Sequence, residues 1–320
     1  MLARHRREIA IALAILVLSI VMAVAAPDFF SIANLSDMLM ANIPVWIAAI
    51  GMTLVILAGQ IDISTGSQFA ICGVVAGLLA KSELPLPAVA LAVLLSGAGL
   101  GAINGFLVAY VRIPSIVVTL ATMVALRDGL RWATQGAWVE DLPRSFQWFG
   151  LTLTASETIT TGIAIVLFAA AAWGLRNLAA GRAVYAVGSN ETAARLAGID
   201  SARVTFFVFA AAGALTGFAA LLNAARFNQI PSNAGLGMEL NVIAAVVVGG
   251  TSIRGGRGSV TGTLLGVVLL GAIGPALTFL GVSAYWEKGI QGAIILTAVV
   301  AEAWPARPRF QGGRVGHRVA

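Results

Sequence analysis

The stretch AVGSNETAARLAGID, residues 186–200, is a polar island in a chain built mostly of Leu, Val, Ile, Ala and Gly. Its residue types fit a short helix. Asn190 or Ser189 can cap such a helix by accepting a backbone N–H bond. Glu191 then falls in the first turn, where the helix dipole favours negative charge. Glu191 and Arg195 are four apart and can pair on the surface. Ala193, Ala194, Leu196 and Ala197 supply a small apolar face, and Gly198 is a C-terminal stop. The spacing predicts a helix of about two turns with arginines on both sides, standing clear of the apolar layer. Two readings fit these residues: a loop helix resting on lipid headgroups, or a docking knob for another protein.

Around this island the chain is 59% hydrophobic and 11% charged, with mean hydropathy +0.92. Soluble domains run near a quarter charged, so this is the composition of an integral membrane protein. The formal net charge of +6 need not mean nucleic acid, because arginines collect in the cytoplasmic loops of membrane proteins. Cys72 is the lone cysteine, which excludes an intrachain disulfide and a cysteine metal cluster. His5 and His317 lie near the ends and suggest neither a metal ligand set nor a catalytic base. No catalytic residue and no metal site are expected.

A helix needs about 20 mainly apolar residues to cross a bilayer. Ten stretches qualify: 8–26, 37–58, 64–80, 86–110, 114–133, 159–177, 203–223, 237–253, 258–280 and 286–304. Spans two and three are close together, and Arg127, Asp128 and Arg131 interrupt the end of the fifth, so eight or nine is the alternative count. The first apolar run follows Arg4, Arg6 and Arg7, as a signal peptide would. Its length and the many spans behind it favour a retained helix. With ten spans and a cytoplasmic N-terminus, fourteen of the twenty Lys and Arg residues fall inside and six outside. That asymmetry predicts both termini in the cytoplasm and puts segment 178–202 there too. Gly97, Gly101 and Gly105 recur four apart, as do Gly258, Gly262 and Gly266, a spacing that lets helix backbones approach closely.

Five stretches then carry a resemblance. Residues 181–199, which hold the polar island, resemble the cytoplasmic coupling segment of permease subunits of ribose-type ABC sugar importers. Gly59-Gln-Ile-Asp-Ile-Ser-Thr-Gly-Ser67 resembles that family's G-x-I-D-L-S-V-G-S, with Gln60 where glycine is usual and Thr65 where valine is. Asn104-Gly-Phe-Leu-Val108 and Ile113-Pro-Ser-Ile-Val-Val-Thr-Leu120 resemble N-G-x-L-V and I-P-x-x-I-x-T-L. ELNVIAAVVVGGTSIRGGRG, residues 239–258, resembles E-L-x-x-I-A-A-V-V-I-G-G-x-S-x-x-G-G-x-G. The likeness runs from about residue 30 to 303.

It implies an all-α polytopic membrane protein, a permease bundle of about ten transmembrane helices forming a single domain over residues 1–320. It implies a second permease subunit (identical or paralogous), an ABC ATPase subunit that binds ATP and Mg, and a periplasmic or extracellular sugar-binding protein. The expected location is the bacterial inner membrane. The solute is a monosaccharide or sugar-like molecule, with residues 127–138 closest to permeases of the rhamnose and autoinducer-2 branch. Coupling to the ATPase falls to Asn190, Glu191, Ala194, Arg195, Leu196 and Gly198. The substrate pathway or gate falls to Gln60, Asp62, Ser64, Asn104, Thr119, Glu239 and Asn241.

The residues themselves temper some of this. Asp62 reads either as a cap for the third span or as a pore-lining acid, since ionisable groups near membrane depth are usually functional. The glycine-rich run 249–258 lacks the Gly-Lys-Ser/Thr ending of a P-loop, so this chain is expected to bind no nucleotide and to form a tight turn there. Trp132, Trp138, Trp148 and Trp286 fit an interfacial belt. The loops 134–158 and 225–238 are the expected receivers of a binding protein. An ion-coupled secondary transporter is the alternative, and such proteins hold ionisable groups deep within their spans.

Overall fold

The computed structural model describes residues 6–283 and 285–303. Among them the regular elements are helical: α1 Arg6–Ala25, α2 Ile32–Leu57, α3 Thr65–Lys81, α4 Leu86–Ala109, α5 Ser115–Thr134, α6 Leu153–Asn177, α7 Ala179–Ser189, α8 Glu191–Leu196, α9 Ser201–Arg226, α10 Met238–Val248, α11 Val260–Phe279 and α12 Tyr285–Ala303. Six of these, α1, α2, α4, α6, α9 and α11, are long and apolar enough to cross a membrane. The chain is therefore an all-α polytopic membrane protein. The other four expected spans coincide with helices of a different kind. α3 and α10 are apolar but have 17 and 11 residues. α5 carries Arg127, Asp128 and Arg131, and α12 carries Glu287, Lys288 and Glu302. His5, His317, Ala320 and the arginines after residue 303 lie outside the described residues.

The layering follows from burial. The most apolar window of α2 is 72% buried and that of α9 is 56%, against 11% for α1 and 17% for α6. α2 and α9 are thus the central staves, and α1 and α6 present apolar faces outward. In lipid there is little hydrophobic drive between helices, so small residues decide which ones meet. α4 packs most extensively on α9. A Cβ on Gly97 would collide with the Gly213 carbonyl, and one on Gly101 with the Phe209 carbonyl. Gly262 and Gly266 stand in the same way against the carbonyls of Gly249 and Ala245, which joins α11 to α10. The first glycine series and Gly262 and Gly266 of the second therefore lie at helix contacts, whereas Gly258 lies in the turn before α11 against Thr251.

The connectors gather at two ends. At one end, the Gly256 N–H donates to the Leu57 carbonyl at 2.9 Å, and the Tyr185 hydroxyl to the Gly258 carbonyl at 3.0 Å. Ser259 there donates to Glu8 at 2.6 Å. The N-terminal part of α1, the end of α2, α7 and the glycine-rich turn interlock in this way. Gly188 lies so close to the Leu57 carbonyl that no side chain fits between them. At the other end, loops 134–158 and 225–238 are joined. Val139 and Ile230 exchange backbone bonds at 3.0 and 2.9 Å, and the Leu142 N–H donates to the Asn228 carbonyl at 3.2 Å. Trp132, Trp138 and Trp286 are exposed, as belt residues would be.

The segment between α9 and α10 does not stay at that second end. Ile230 packs on Gly73 and Gly77 of α3, whereas Gly235, at φ +69, packs on Gly66. Gly66 and Gly77 are about 16 Å apart along a helix axis. The chain therefore descends beside α3 before α10 begins inside the bundle. Non-helical backbone at such depth is tolerated only where protein or a water-filled cavity surrounds it. The expected span 237–253 is a helix only over Met238–Val248 because it ends in the glycine-rich turn, where Gly250 sits at φ +88.

Candidate functional site

The polar island folds as its residues dictate. The Asn190 side chain accepts from the Ala193 N–H at 2.9 Å and caps α8. α8 ends with Gly198 at φ +81, where Gly198 N–H donates to Arg195 and Ile199 N–H to Ala194. That is a Schellman closure, which needs a residue tolerant of the left-handed region. Glu191 and Arg195 pair at 2.6 Å. Ser201, a residue the sequence reading passed over, completes the unit. Its buried hydroxyl accepts from Arg195 Nε at 2.8 Å and donates to Glu191 Oε1 at 3.0 Å. Both charged side chains are half exposed, so the ion pair alone stabilises little. Its role is positional, since it ties α8 to the first turn of α9.

Two features of this unit differ from expectation. Helix continues upstream of the island as α7, Ala179–Ser189, which packs on α6, α8 and α9. Ala194 is 4% exposed and faces the chain itself, while Leu196 is 86% exposed. Leu196, flanked by the exposed Ala193 and Ala197, and not Ala194, is the apolar surface that a partner can reach.

The expected pathway residues fall into separate places. Gln60 lines a cavity of about 300 Å³ together with Arg112, Glu191, Arg195 and Ser201, so it belongs with α8. Asp62, Ser64 and Asn104 form a buried network at the start of α3. Asp62 Oδ1 accepts from the Ser64 N–H at 2.9 Å and from the Ser64 hydroxyl at 2.6 Å. Asn104 and Gln68 each donate to Ser64 Oγ at 2.8 Å, and Gln68 also donates to Asp62 Oδ2 at 3.0 Å. Asp62 thus organises the turn before α3 without being its N-cap residue, which is Ser64. Thr119 donates to the Ile61 carbonyl at 3.3 Å and to the Ser115 carbonyl at 2.8 Å, which anchors the same turn to α5. Gln68 was missed, although a glutamine four residues after Ser64 shares its helix face.

Glu239 lies in the first turn of α10, where its charge suits the helix dipole. Among the described residues its Oε2 is buried without a partner, against Gly66. Asn241 stands apart, accepting from Lys288 at 3.4 Å. Arg127, another residue not singled out as part of the site, donates to the Ala234 carbonyl at 2.8 Å and ties α5 to the descending segment. Asp62, Ser64, Asn104, Thr119 and Glu239 are all at most 9% exposed, so in this conformation they line no open passage.

The described residues thus form a polytopic helical bundle with a capped helical knob at one end and a helix that starts inside the bundle. Residues 34–299 match the family model described as branched-chain amino acid transport system / permease component. Ribose import permease protein RbsC of Escherichia coli (strain K12) is 37% identical over 91% of this chain and 92% of its own. The probable ABC transporter permease protein YphD of the same strain is 39% identical, over 93% and 90% of the two chains. Autoinducer 2 import system permease protein LsrC of Yersinia pseudotuberculosis is 34% identical, over 93% and 85%. No solved structure matches the chain. The chain belongs to this permease family of binding-protein-dependent ABC importers and resembles its ribose-type members. These relatives are named as transport components, not as enzymes.

Proposed function

We propose that this chain is the membrane subunit through which a binding-protein-dependent importer moves a monosaccharide or sugar-like solute inward. ATP and Mg are held by a partner ATPase subunit, and this chain binds neither. A second permease subunit, identical or paralogous, completes the membrane domain in the bacterial inner membrane, with both termini cytoplasmic. Relatives named for ribose and for autoinducer 2 support a sugar-like solute, and the likeness of residues 127–138 favours the rhamnose or autoinducer-2 type.

The observation that carries this reading is α8. It is a capped two-turn helix, fastened to α9 through Ser201, with Leu196 projecting free. It lies at the end where Arg112, Arg195, Arg254 and Arg257 collect, and an excess of arginine marks the cytoplasmic side. Mechanical coupling needs a physical contact with two arrangements. Closure of the ATPase pair would push α8, and the Ser201 link passes the displacement to α9, a central stave. Gating belongs to the start of α3 and to α10, where Asp62, Ser64, Asn104, Thr119 and Glu239 seal the bundle.

The test is reconstitution in vesicles with its partner ATPase and binding protein. Uptake of labelled ribose, rhamnose or autoinducer 2 should require ATP and the loaded binding protein. Uptake driven by a sodium or proton gradient without the ATPase would replace this reading with a secondary transporter.

A further inference from the structure

The 300 Å³ cavity beside α8 is not used by the coupling reading, and its lining has an uncompensated charge. Arg195 is neutralised by Glu191 at 2.6 Å. Arg112 also lines the cavity, and among the described residues it has no carboxylate partner. It sits at φ +64, a left-handed backbone that is unfavourable for a side-chain-bearing residue. Gln60, Ser201 and Thr205 add hydrogen-bonding groups to the same walls. The volume is that of a small-ligand site, and a free guanidinium with hydroxyl and amide neighbours suits a phosphate group.

Next in sequence to the lining residues Ala109 and Thr205 the surface is aromatic. Phe106 on α4 and Tyr110 at its C-terminal cap, just before Arg112, contact each other at 5.7 Å between ring centroids. Tyr110 reaches Phe206 at 6.0 Å, and Phe206 reaches Phe207 at 5.4 Å. Phe106, Tyr110 and Phe207 are 52%, 49% and 65% exposed. Four rings in a row, adjacent in sequence to the walls of a basic cavity and at the end of α4, have the character of a membrane interface. A soluble phosphate ester would have no use for them, whereas acyl chains would.

We infer that this cavity holds the phosphate of an anionic phospholipid of the inner leaflet, with Arg112 as its counter-charge and the Phe106–Tyr110–Phe206–Phe207 ridge against its acyl chains. Because Arg195, Glu191 and Ser201 form both the cavity wall and the α8 fastening, the bound lipid steadies α8. That functional consequence rests on α8 being the coupling helix; lipid binding itself does not.

The test uses the assembled transporter purified with its lipids. Native mass spectrometry should find phosphatidylglycerol retained in preference to phosphatidylcholine. Arg112→Gln should weaken that retention about fivefold, the effect of one basic residue at an anionic surface, and Arg112→Lys should restore most of it. Arg112 is exposed and unpaired, so the variants should fold. Arg131→Gln, at the opposite end, should change nothing. In vesicles of phosphatidylcholine alone, ATPase stimulation by the loaded binding protein should fall, and adding phosphatidylglycerol should restore it for the parent but not for Arg112→Gln. Equal retention of both lipids, or retention indifferent to Arg112, would overturn the proposal. Displacement of the lipid by millimolar inorganic phosphate would reassign the cavity to soluble phosphate esters and overturn it as well. If retention follows Arg112 but stimulation ignores lipid, the lipid site stands and its steadying of α8 is overturned.

Discussion

Leu196 leaves 86% of its surface in the open on a helix of only six residues. Nothing within the chain needs it there. Leu196→Asp should therefore leave insertion and thermal stability within about 0.5 kcal/mol of the parent, as for most surface changes. Uptake and binding-protein-stimulated ATPase activity should be lost. A blot of membranes for level, followed by an ATPase assay on the assembled complex, checks both halves. Ser64 has the opposite character. It is fully buried, accepts from Asn104 and Gln68, and donates to Asp62. Ser64→Ala strands those partners, and a buried group left unsatisfied costs about 1–3 kcal/mol. The expected result is a melting temperature several degrees lower in detergent, whatever the transport rate.

Among the elements, α8 is too short to persist without its ends. An isolated helix of its length is unstable in water, so its cap and its tie to α9 decide whether it forms. Asn190→Ala removes the bond to the Ala193 N–H, a loss of about 1 kcal/mol. Faster amide exchange over residues 191–196 and partial uncoupling should follow, and Asn190→Asp, which caps equally well, should behave as the parent does. The α4–α9 contact is decided by glycine. Gly101→Val would drive a side chain into the Phe209 carbonyl. Backbone cannot yield as a flexible side chain can, so the cost should exceed the 1–3 kcal/mol typical of overpacking. The measurable result is poor membrane yield and early melting, with no change in the isolated ATPase.

For the whole molecule, the two ends of the bundle imply a sidedness that labelling can read. Cys72 is fully buried and should be silent to reagents. Thr192→Cys places a thiol on α8, and Gln135→Cys places one beyond α5 at the other end; both positions are exposed. A membrane-impermeant maleimide should label Gln135→Cys in cells whose inner membrane is intact, and Thr192→Cys only after lysis. The reverse pattern would invert the molecule and remove α8 from the reach of a cytoplasmic ATPase.

What the sequence determined by itself is local or additive. Mean hydropathy and the run of apolar stretches fix a polytopic helical protein, because membrane insertion sums residue by residue. The cap, pair and stop of α8 were legible at Asn190, Glu191, Arg195 and Gly198, because each acts within about one turn of helix. The glycine series named surfaces for close packing without naming their partners. The tertiary structure decided what depends on residues far apart in the chain. It turned Ala194 inward and Leu196 outward, since which face of a short helix meets the bundle is set by the helices it packs on, α7 and α9, and not by α8 itself. It gathered Asp62, Ser64, Gln68 and Asn104 into one buried network, although 40 residues separate Ser64 from Asn104. It started α10 inside the bundle, because Gly66 and Gly235 let an unwound segment lie against α3. Hydropathy could not register that, since a buried extended segment and a buried helix can be equally apolar.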